Sequence, residues 1–146
     1  MIEVGEYGRT NKGQIFIFCY VEQLENETFI MVRRPNKEYV NASCFEKYWL
    51  DEDEEIVKHS KNIIDLIEPG DLVRIFVEEN VDENGTTEDT CVYEVTATQV
   101  KDFYGNKLEE IGIVGEDGTE LIPFANVRGI VTREQFASME YKVKEE

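Results

Sequence analysis

Short apolar stretches separated by turn-forming residues run along most of this chain. Residues 14–21 are mostly Ile, Phe, Tyr and Val, and residues 90–100 are rich in Val and Thr, all of which favour β-strands. Between such stretches lie residues 11–13 and 82–85, each with a Gly that supplies the positive φ of a short hairpin loop. The pattern predicts an all-β, mainly antiparallel protein.

One helical signal interrupts this pattern near the end of the chain. Residues 132–135 have the Thr-x-x-Gln form of a capping box, which satisfies free backbone N–H groups where a helix starts. We therefore predict a short helix over residues 133–139. A terminal strand or tail is expected to follow over residues 140–143.

The chain also repeats parts of itself. Residues 3–10 return 65 positions later as residues 68–75, keeping Glu, Gly, an acid, an apolar residue and Arg in register. A second echo, at an offset of 64, matches residues 50–53 and 62–67 with residues 114–117 and 126–131. Two matches at nearly equal offsets indicate an internal duplication.

We interpret the repeat as two small domains in tandem. Five or so short strands per unit are typical of a small SH3-like barrel, and barrel closure removes the strand edges that promote aggregation. The predicted organisation is a first barrel-like unit over residues 1–67 and a second over residues 68–132. A short helix and the C-terminal tail occupy residues 133–146.

Charge is the second strong feature of the sequence. The chain has 32 Asp and Glu against 15 Lys and Arg, a formal net charge of −17. A field of this sign repels phosphates, so direct binding to nucleic acid or to an anionic membrane is disfavoured. A basic protein is the partner it attracts. The plain alternative is that the acids only keep a small protein soluble.

Several signals bear on the compartment. No apolar run approaches the roughly 20 residues of a membrane-spanning helix, and the first residues lack the pattern of a secretory signal. The three cysteines, Cys19, Cys44 and Cys91, have no CxxC spacing and fit reduced thiols better than a disulfide framework. We expect a cytoplasmic protein.

Parts of the chain resemble a known group of proteins. Residues 56–73 read Ile-Val-Lys-His-Ser-Lys-Asn-Ile-Ile-Asp-Leu-Ile-Glu-Pro-Gly-Asp-Leu-Val. With residues 4–10, 130–136 and 140–143, this stretch resembles small proteins encoded by phages and prophages of Gram-positive and related bacteria, most of unknown function. The resemblance implies a phage-type origin and hence the cytoplasm of a host cell. It brings no catalytic or binding residues to transfer.

Candidate catalytic residues are few. A nucleophilic cysteine needs a nearby base, and His59 is the single histidine. Cys44 follows a polar segment, whereas Cys19 and Cys91 lie in apolar strands where a thiol acts as a small hydrophobe. No third catalytic group, Gly-rich phosphate loop or zinc-ligand spacing is present. We predict a protein that is not an enzyme and holds no cofactor or metal.

The acidic run Asp51, Glu52, Asp53, Glu54 and Glu55 is the predicted partner-binding site. It lacks the ligand alternation and central Gly of an EF-hand loop, so a solvated loop is favoured over a cation site. Carboxylates on a rigid β framework can present negative charge as a nucleic-acid backbone does, and so occupy a basic groove. Further acids are spread along the chain: Glu22, Glu25, Glu27, Glu78, Glu79, Asp82, Glu83, Glu88, Asp89, Glu109, Glu110, Glu116, Asp117 and Glu120.

These features lead to one functional hypothesis and two alternatives. We expect an acidic inhibitor of a host nucleic-acid-binding or defence protein, such as a nuclease, of unknown oligomeric state. The first alternative is a protein that sequesters a nucleotide signal, with Tyr39, Tyr48 or Trp49 for stacking. Its basic ligand-binding residues would be Arg33, Arg34, Lys37, Lys58, His59 and Lys61, unless these only form surface ion pairs. The second alternative is a structural or accessory phage protein.

Overall fold

The computed structural model of the protein describes residues 2–25, 27–33, 37–39, 47–49, 53–135 and 139–143. Among them, twelve strands form: β1 Tyr7–Thr10, β2 Ile15–Leu24, β3 Glu27–Arg33, β4 Lys37–Tyr39, β5 Lys47–Trp49, β6 Ile56–Ser60, β7 Leu72–Asp82, β8 Gly85–Ala97, β9 Glu110–Gly115, β10 Gly118–Pro123, β11 Val127–Val131 and β12 Met139–Lys142. Short 3-10 helices lie at Ile63–Leu66, Phe124–Asn126 and Arg133–Gln135.

The fold is mostly antiparallel β, which confirms the predicted fold class at that level. Within the described ranges the strands lie in two sheets, and neither sheet closes into a barrel. The chain divides into two compact units. Unit 1 comprises Met1–Leu66 together with Glu134–Glu146, and unit 2 comprises Ile67–Arg133.

Unit 1 contains a sheet in the order β5-β3-β2-β1-β6, so β1 pairs with both β2 and β6. Its register shifts at two places. One shift lies between Arg9 and Thr10, where β1 meets β6, and the other between Phe18 and Tyr20, where β2 meets β3. A further antiparallel pair joins β4 to β12.

Unit 2 arranges its strands in the order β10-β9-β8-β7-β11, so β7 pairs with both β8 and β11. Its register shifts between Val127 and Gly129, where β11 meets β7, and between Val95 and Ala97, where β8 meets β9. A third shift follows Phe76, where β7 continues into a long hairpin with β8.

The two units bury their sheets differently. In unit 1, all four residues Ile15, Phe16, Ile17 and Phe18 are buried, so both faces of β2 are covered. The four-residue apolar run suits a strand that has no solvated face. In unit 2, burial alternates along the first half of β7, as expected where one sheet face packs and the other faces water. The packed face includes Val73, Ile75, Val95, Ile111, Ile113, Val127 and Ile130.

Arg9 lies in the interior of unit 1 and is fully buried. Its Nη1 donates to the carbonyl oxygen of Leu66 at 2.9 Å, and its Nη2 contacts Oε1 of Glu134 at 2.8 Å. Leu66 ends a 3-10 helix, and the last carbonyls of a helix need partners from outside the helix. Arg9 therefore joins β1 to this helix and to the C-terminal segment of unit 1.

A tight turn precedes the first strand of each unit. In unit 1, the backbone N–H of Glu3 donates to the carboxylate of Glu6 at 2.6 Å, and the N–H of Glu6 donates to the carbonyl of Glu3 at 3.0 Å. In unit 2, Glu68 and Asp71 make the same two bonds at 2.8 and 3.1 Å. Gly5 and Gly70 have φ of 89° and 96°, which glycine adopts at least cost.

The hairpins predicted from the turn residues 11–13 and 82–85 are confirmed as β1–β2 and β7–β8, and β9 and β10 form a third hairpin. The second sequence echo is wrong, because it matches the 3-10 helix Ile63–Leu66 with strand β11. The predicted helix over residues 133–139 is wrong at its end. Its first residues form the 3-10 helix Arg133–Gln135, residues 136–138 lie outside the described ranges, and β12 already begins at Met139.

Candidate functional site

The predicted acidic site at residues 51–55 lies partly outside the described ranges, which exclude Asp51 and Glu52. The other three acids contact the turn between β1 and β2. Asp53 pairs with Lys12 at 2.8 Å, and this hydrogen bond lowers the pKa of the Asp53 carboxyl. Glu54 is buried and accepts a hydrogen bond from Nε2 of Gln14 at 3.2 Å. These two side chains hold the segment against the hairpin.

Backbone bonds fasten the same segment. The N–H of Glu55 donates to Oδ1 of Asn11 at 2.9 Å, and the N–H of Asn11 donates to the carbonyl of Glu55 at 2.9 Å. This arrangement gives residues 53–55 a structural role in unit 1. Their role in binding a partner stays a prediction.

The basic residues of the alternative site lie at separate places in the sheet of unit 1. Arg33 ends β3, while Lys58 and His59 belong to β6, and β2 and β1 lie between these strands. Three strand spacings amount to about 14 Å. Arg34, Cys44 and the side chain of Lys37 lie outside what the structure describes. The described basic residues are thus spread over three strand spacings, and their role in binding a ligand stays a prediction.

His59 contacts a neighbouring acid instead. Its Nδ1 lies 3.3 Å from Oε1 of Glu6. The hydrogen bond from the backbone of Glu3 is the main cause that lowers the pKa of Glu6, and His59 adds to it. His59 thus belongs to the surface of the turn that begins unit 1.

Among the described residues, a dense group of acids lies on the β7–β8 hairpin. We call residues 77–91 the acidic ribbon. Every residue in it is exposed except the half-buried Thr90. It contains no Lys or Arg. Its six acids are Glu78, Glu79, Asp82, Glu83, Glu88 and Asp89.

The pairing within the acidic ribbon places like charges opposite each other. Glu78 pairs with Asp89, and Glu79 pairs with Glu88. Directly opposed like charges on neighbouring strands destabilise a sheet. The ribbon forms despite this repulsion, so the acids are not there to strengthen the hairpin.

Backbone features hold the ribbon in its hairpin form. Asp82 pairs with Gly85 across the two-residue turn, and Oδ1 of Asp82 accepts the N–H of Asn84 at 2.8 Å. Gly85 has φ of 118°, and Asn-Gly is a strong hairpin-turn signal.

Two arginines hold the ribbon where it joins the sheet. Arg128 contacts both carboxylate oxygens of Glu88, at 2.9 and 3.2 Å, and its guanidinium lies 5.2 Å from the ring centroid of Phe76. Nη1 of Arg74 donates to Oγ1 of Thr90 at 3.2 Å. A bidentate Arg–carboxylate pair fixes orientation better than a single contact. The ribbon is thereby oriented at its base.

The described residues offer little for catalysis. They contain no group of three or more His, Cys, Asp or Glu that could hold a metal ion. Cys19 is half-buried, but Cys91 is exposed, so the expectation that it acts as a small buried hydrophobe is wrong. Cys91 is the last residue of the acidic ribbon. No helix in the described ranges is long and apolar enough to cross a membrane.

Sequence reasoning recognised the six acids of the ribbon but not their arrangement. Glu, Asp and Asn have low β propensity, which hides the strands on either side of the Asn-Gly turn. The Asn-Gly turn is the signal in the sequence that indicates this hairpin.

No family model, curated protein or solved structure matches this chain.

Proposed function

We propose that the protein is a non-enzymatic binding protein of phage type, and that its acidic ribbon docks into the basic groove of a host nucleic-acid-binding or defence protein. We further propose that units 1 and 2 are copies of one SH3-like five-stranded fold, and that the ribbon is an extension carried by the second copy. In this proposal, the short 3-10 helix Arg133–Gln135 takes the place of the predicted terminal helix.

Strand order supports the duplication. In unit 2, β7 to β10 form a four-stranded meander and β11 returns beside β7. In unit 1, β1, β2, β3 and β5 lie in the corresponding order and β6 returns beside β1, with β4 outside this sheet. First and last strands that lie side by side are what a small barrel needs in order to close.

The register shifts support it further. In both units the fifth strand skips one residue opposite the first strand, Val57 in unit 1 and Arg128 in unit 2. In both units the second strand also skips one residue opposite the third, Cys19 in unit 1 and Thr96 in unit 2. Bulges are specific features of a fold. Two shared positions favour common descent over coincidence.

The turn at the start of each unit gives a third line of support. After the turn, the N–H of Gly5 donates to the carbonyl of Phe18, and the N–H of Phe18 donates to the carbonyl of Glu6, both at 2.9 Å. Gly70 and Val95 make the matching bonds in unit 2, at 2.9 and 2.8 Å, with Asp71 in the place of Glu6.

With this correspondence, the ribbon is an addition to the common fold. The pair Arg9 and Ile15 in unit 1 matches the pair Arg74 and Val92 in unit 2. Five residues, 10–14, close the hairpin in unit 1, and 17 residues, 75–91, close it in unit 2. The sheet of unit 1 forms without such an extension. The ribbon is therefore the part of unit 2 that can serve binding without being needed for the common fold.

Charge spacing is the observation that carries the functional proposal. The paired part of the ribbon, from Glu78 to Asp82 on one strand, is about 13 Å long at the usual rise of a β-strand. Five carboxylates lie along this length, and Glu88 is paired with Arg128, so the other four give about one charge per 3 Å, close to the charge spacing of about 3.4 Å along one strand of DNA. The ribbon therefore offers a basic groove about the same density of negative charge as a nucleic-acid strand does.

The alternatives have weaker support. A nucleotide-binding site needs the basic residues together, and those described are separated by two strands of the sheet. An accessory phage protein without inhibitory action fits the resemblance to phage proteins but gives no reason for the opposed acids. The inhibitor proposal accounts for both features.

The test compares two variants that remove four negative charges each. The ribbon variant carries Glu78→Gln, Glu79→Gln, Glu83→Gln and Asp89→Asn, which leaves the Glu88–Arg128 pair and the turn at Asp82 intact. The control variant carries Glu109→Gln, Glu116→Gln, Asp117→Asn and Glu120→Gln, all at exposed positions of unit 2. Both variants therefore have the same net charge.

Immobilised wild-type protein is incubated with host lysate, and duplex DNA is used to displace bound proteins. With a displaced protein purified, we expect the ribbon variant to associate at least about 10-fold more slowly and with a flatter salt dependence, while the control stays close to wild type. Equal slowing of both variants contradicts a specific role for the ribbon. So does the absence of any DNA-displaceable protein.

A further inference from the structure

A second exposed feature of unit 2 has no role in the fold. Phe103 and Tyr104 are 96% and 85% exposed, the highest values among the described large hydrophobic side chains. Their rings make an edge-to-face pair, with centroids 5.6 Å apart and planes at 89°. Such pairs are favourable contacts in their own right. The two rings therefore form one apolar surface that projects into water.

The backbone beneath these rings is fixed by a network centred on Asp102. Its Oδ1 accepts the N–H groups of Tyr104 and Asn106 at 2.8 and 2.9 Å, and its Oδ2 accepts Nδ2 of Asn106 at 3.3 Å. Its own N–H donates to the carbonyl of Asn106 at 2.9 Å. The bonds from the backbone of Asn106 and Tyr104 lower the pKa of the Asp102 carboxyl.

The remainder of the loop continues this order. The N–H of Gly105 donates to the carbonyl of Asp102 at 3.0 Å, and Gly105 takes φ of 84°. Below the turn, Lys101 and Lys107 form an antiparallel bridge, and the N–H of Leu108 donates to the carbonyl of Val100 at 2.8 Å. A single exposed apolar side chain is normal on a protein surface and needs no explanation. Here, hydrogen bonds fix the backbone of a loop that carries two adjacent exposed rings.

Aromatic side chains on a fixed backbone suit recognition because the loop itself loses little conformational freedom on binding. Aromatic residues are enriched at the centres of protein interfaces, where they fill apolar pockets. Lys101 and Lys107 are exposed and add positive charge beside the rings, in a chain whose net charge is −17. The overall charge opposes approach to nucleic acid or to an anionic membrane. It does not oppose an apolar pocket with a few acids at its rim.

We propose that Phe103 and Tyr104 are an anchor that inserts into an apolar pocket of a partner protein, with Lys101 and Lys107 facing acidic residues at the rim of that pocket. Asp102 is a positioning residue that holds the rings in the bound conformation. This inference does not depend on the acidic ribbon, because it stands on the geometry of a different loop.

The first step of the test is site-specific photo-crosslinking. p-Benzoylphenylalanine replaces Phe103 in one protein and Leu121, which is 48% exposed, in a control protein. Both are irradiated in host lysate, and proteins captured at position 103 but not at position 121 are purified. A capture pattern that is the same at the two positions overturns the proposal.

The second step measures affinities of the purified partner for defined variants. We expect Phe103→Ala to weaken binding by about 30-fold or more, as for a hot-spot residue, and Leu121→Ala to leave it unchanged. Asp102→Ala is expected to weaken binding with both rings present, and Asp102→Asn, which keeps an acceptor oxygen, to restore most of it. An affinity that Phe103→Ala does not change overturns the anchor.

Three further experiments test whether the Phe103 loop binds something other than a partner protein. Wild type and Phe103→Ala are compared for binding to phosphatidylcholine–phosphatidylglycerol vesicles, for binding to an oligothymidine strand, and for self-association in sedimentation experiments. We expect no binding and no self-association that depends on Phe103. A Phe103-dependent signal in any arm assigns the loop to a membrane, a nucleic acid or a second copy, and overturns the proposed partner. If the acidic ribbon does not bind a basic protein but the anchor proposal is correct, the ribbon variant should still bind the partner captured at position 103, and this binding should still depend on Phe103.

Discussion

The hairpins β1–β2 and β7–β8 begin from the same kind of turn and pair with the same register, yet they end differently. The first closes with residues 10–14, and its turn is bonded to residues 53–55 of its own unit. The second continues into the acidic ribbon, whose acids face one another and the solvent. A sheet that forms with either a short or a long hairpin does not require the long hairpin. The difference therefore separates residues that maintain the fold from residues available for recognition.

The largest expected effect tests matched arginines in the two proposed copies. Arg9 is fully buried with a charged partner, whereas the corresponding Arg74 is half-buried and bonds to Thr90. Arg9→Met leaves the buried carbonyl of Leu66 without its donor and removes the cation beside the exposed Glu134. We expect a cost of about 3 kcal/mol, because an unsatisfied buried acceptor and a lost charged hydrogen bond each cost about 1–3 kcal/mol. Arg74→Met is expected to cost about 1 kcal/mol, as for one ordinary hydrogen bond.

Urea denaturation of both variants measures these costs. Similar losses for Arg9→Met and Arg74→Met would contradict the different environments assigned to them.

The second prediction concerns the tight contact between β1 and β2. A Cβ added at Gly8 would lie 2.2 Å from Cζ of Phe16, whereas the corresponding pair in unit 2 is Val73 and Tyr93. Gly8→Ala is therefore expected to destabilise the protein by about 1–3 kcal/mol through overpacking. Thermal unfolding measures the cost. The double variant Gly8→Ala with Phe16→Leu should recover part of it, and a fully additive loss would show that the two residues are not coupled.

The third prediction exploits the repulsion within the ribbon. Glu79→Lys replaces a like-charge pair with Glu88 by an opposite-charge pair, so the ribbon should gain about 0.2–1 kcal/mol of stability. Slower amide exchange in residues 78–89 is the readout. The same change should weaken binding to the basic partner, so a ribbon that becomes both more stable and a better binder would contradict the proposed role.

The smallest effect concerns pH and the loop beneath Phe103. The pKa of Asp102 is lowered in the folded protein from its ordinary value of 3.8, so its bonds stabilise the loop above that pH. This stabilisation should be lost as pH falls through the lower folded-state value. Amide exchange at Tyr104 and Asn106, corrected for its intrinsic pH dependence, should then accelerate in wild type. Asp102→Asn should remove this dependence, and an unchanged pH profile in that variant would assign it to another group.

Sequence reasoning reached the hairpins because their turns are marked by Gly next to Asn or Asp, as at Asn84-Gly85 and Asp117-Gly118. It also reached the similarity of the turns before β1 and β7, where a glycine and two acids form the same bonds. The rest required the structure. Matched positions are 65 residues apart at Tyr7 and Leu72 but 77 apart at Phe18 and Val95, so no constant offset describes both.

The candidate site was harder to predict for a similar reason. The acidic run at residues 51–55 is conspicuous in sequence, but Glu54 is buried and Asp53 is paired with Lys12. The acids of the ribbon are separated in sequence and come together only through the pairing of β7 with β8. Likewise, the exposure of Phe103 and Tyr104 depends on the loop geometry that Asp102 fixes, which composition does not reveal.

The most direct test of the central claim is to shorten the ribbon and measure folding and binding together. Residues 79–88 are replaced by Asn-Gly, so that a two-residue turn joins the paired Glu78 and Asp89. We predict a chain that unfolds cooperatively with nearly the wild-type melting temperature and has lost DNA-displaceable binding to the host protein. A folded, shortened protein that binds this partner as tightly as wild type would contradict the assignment of recognition to the ribbon.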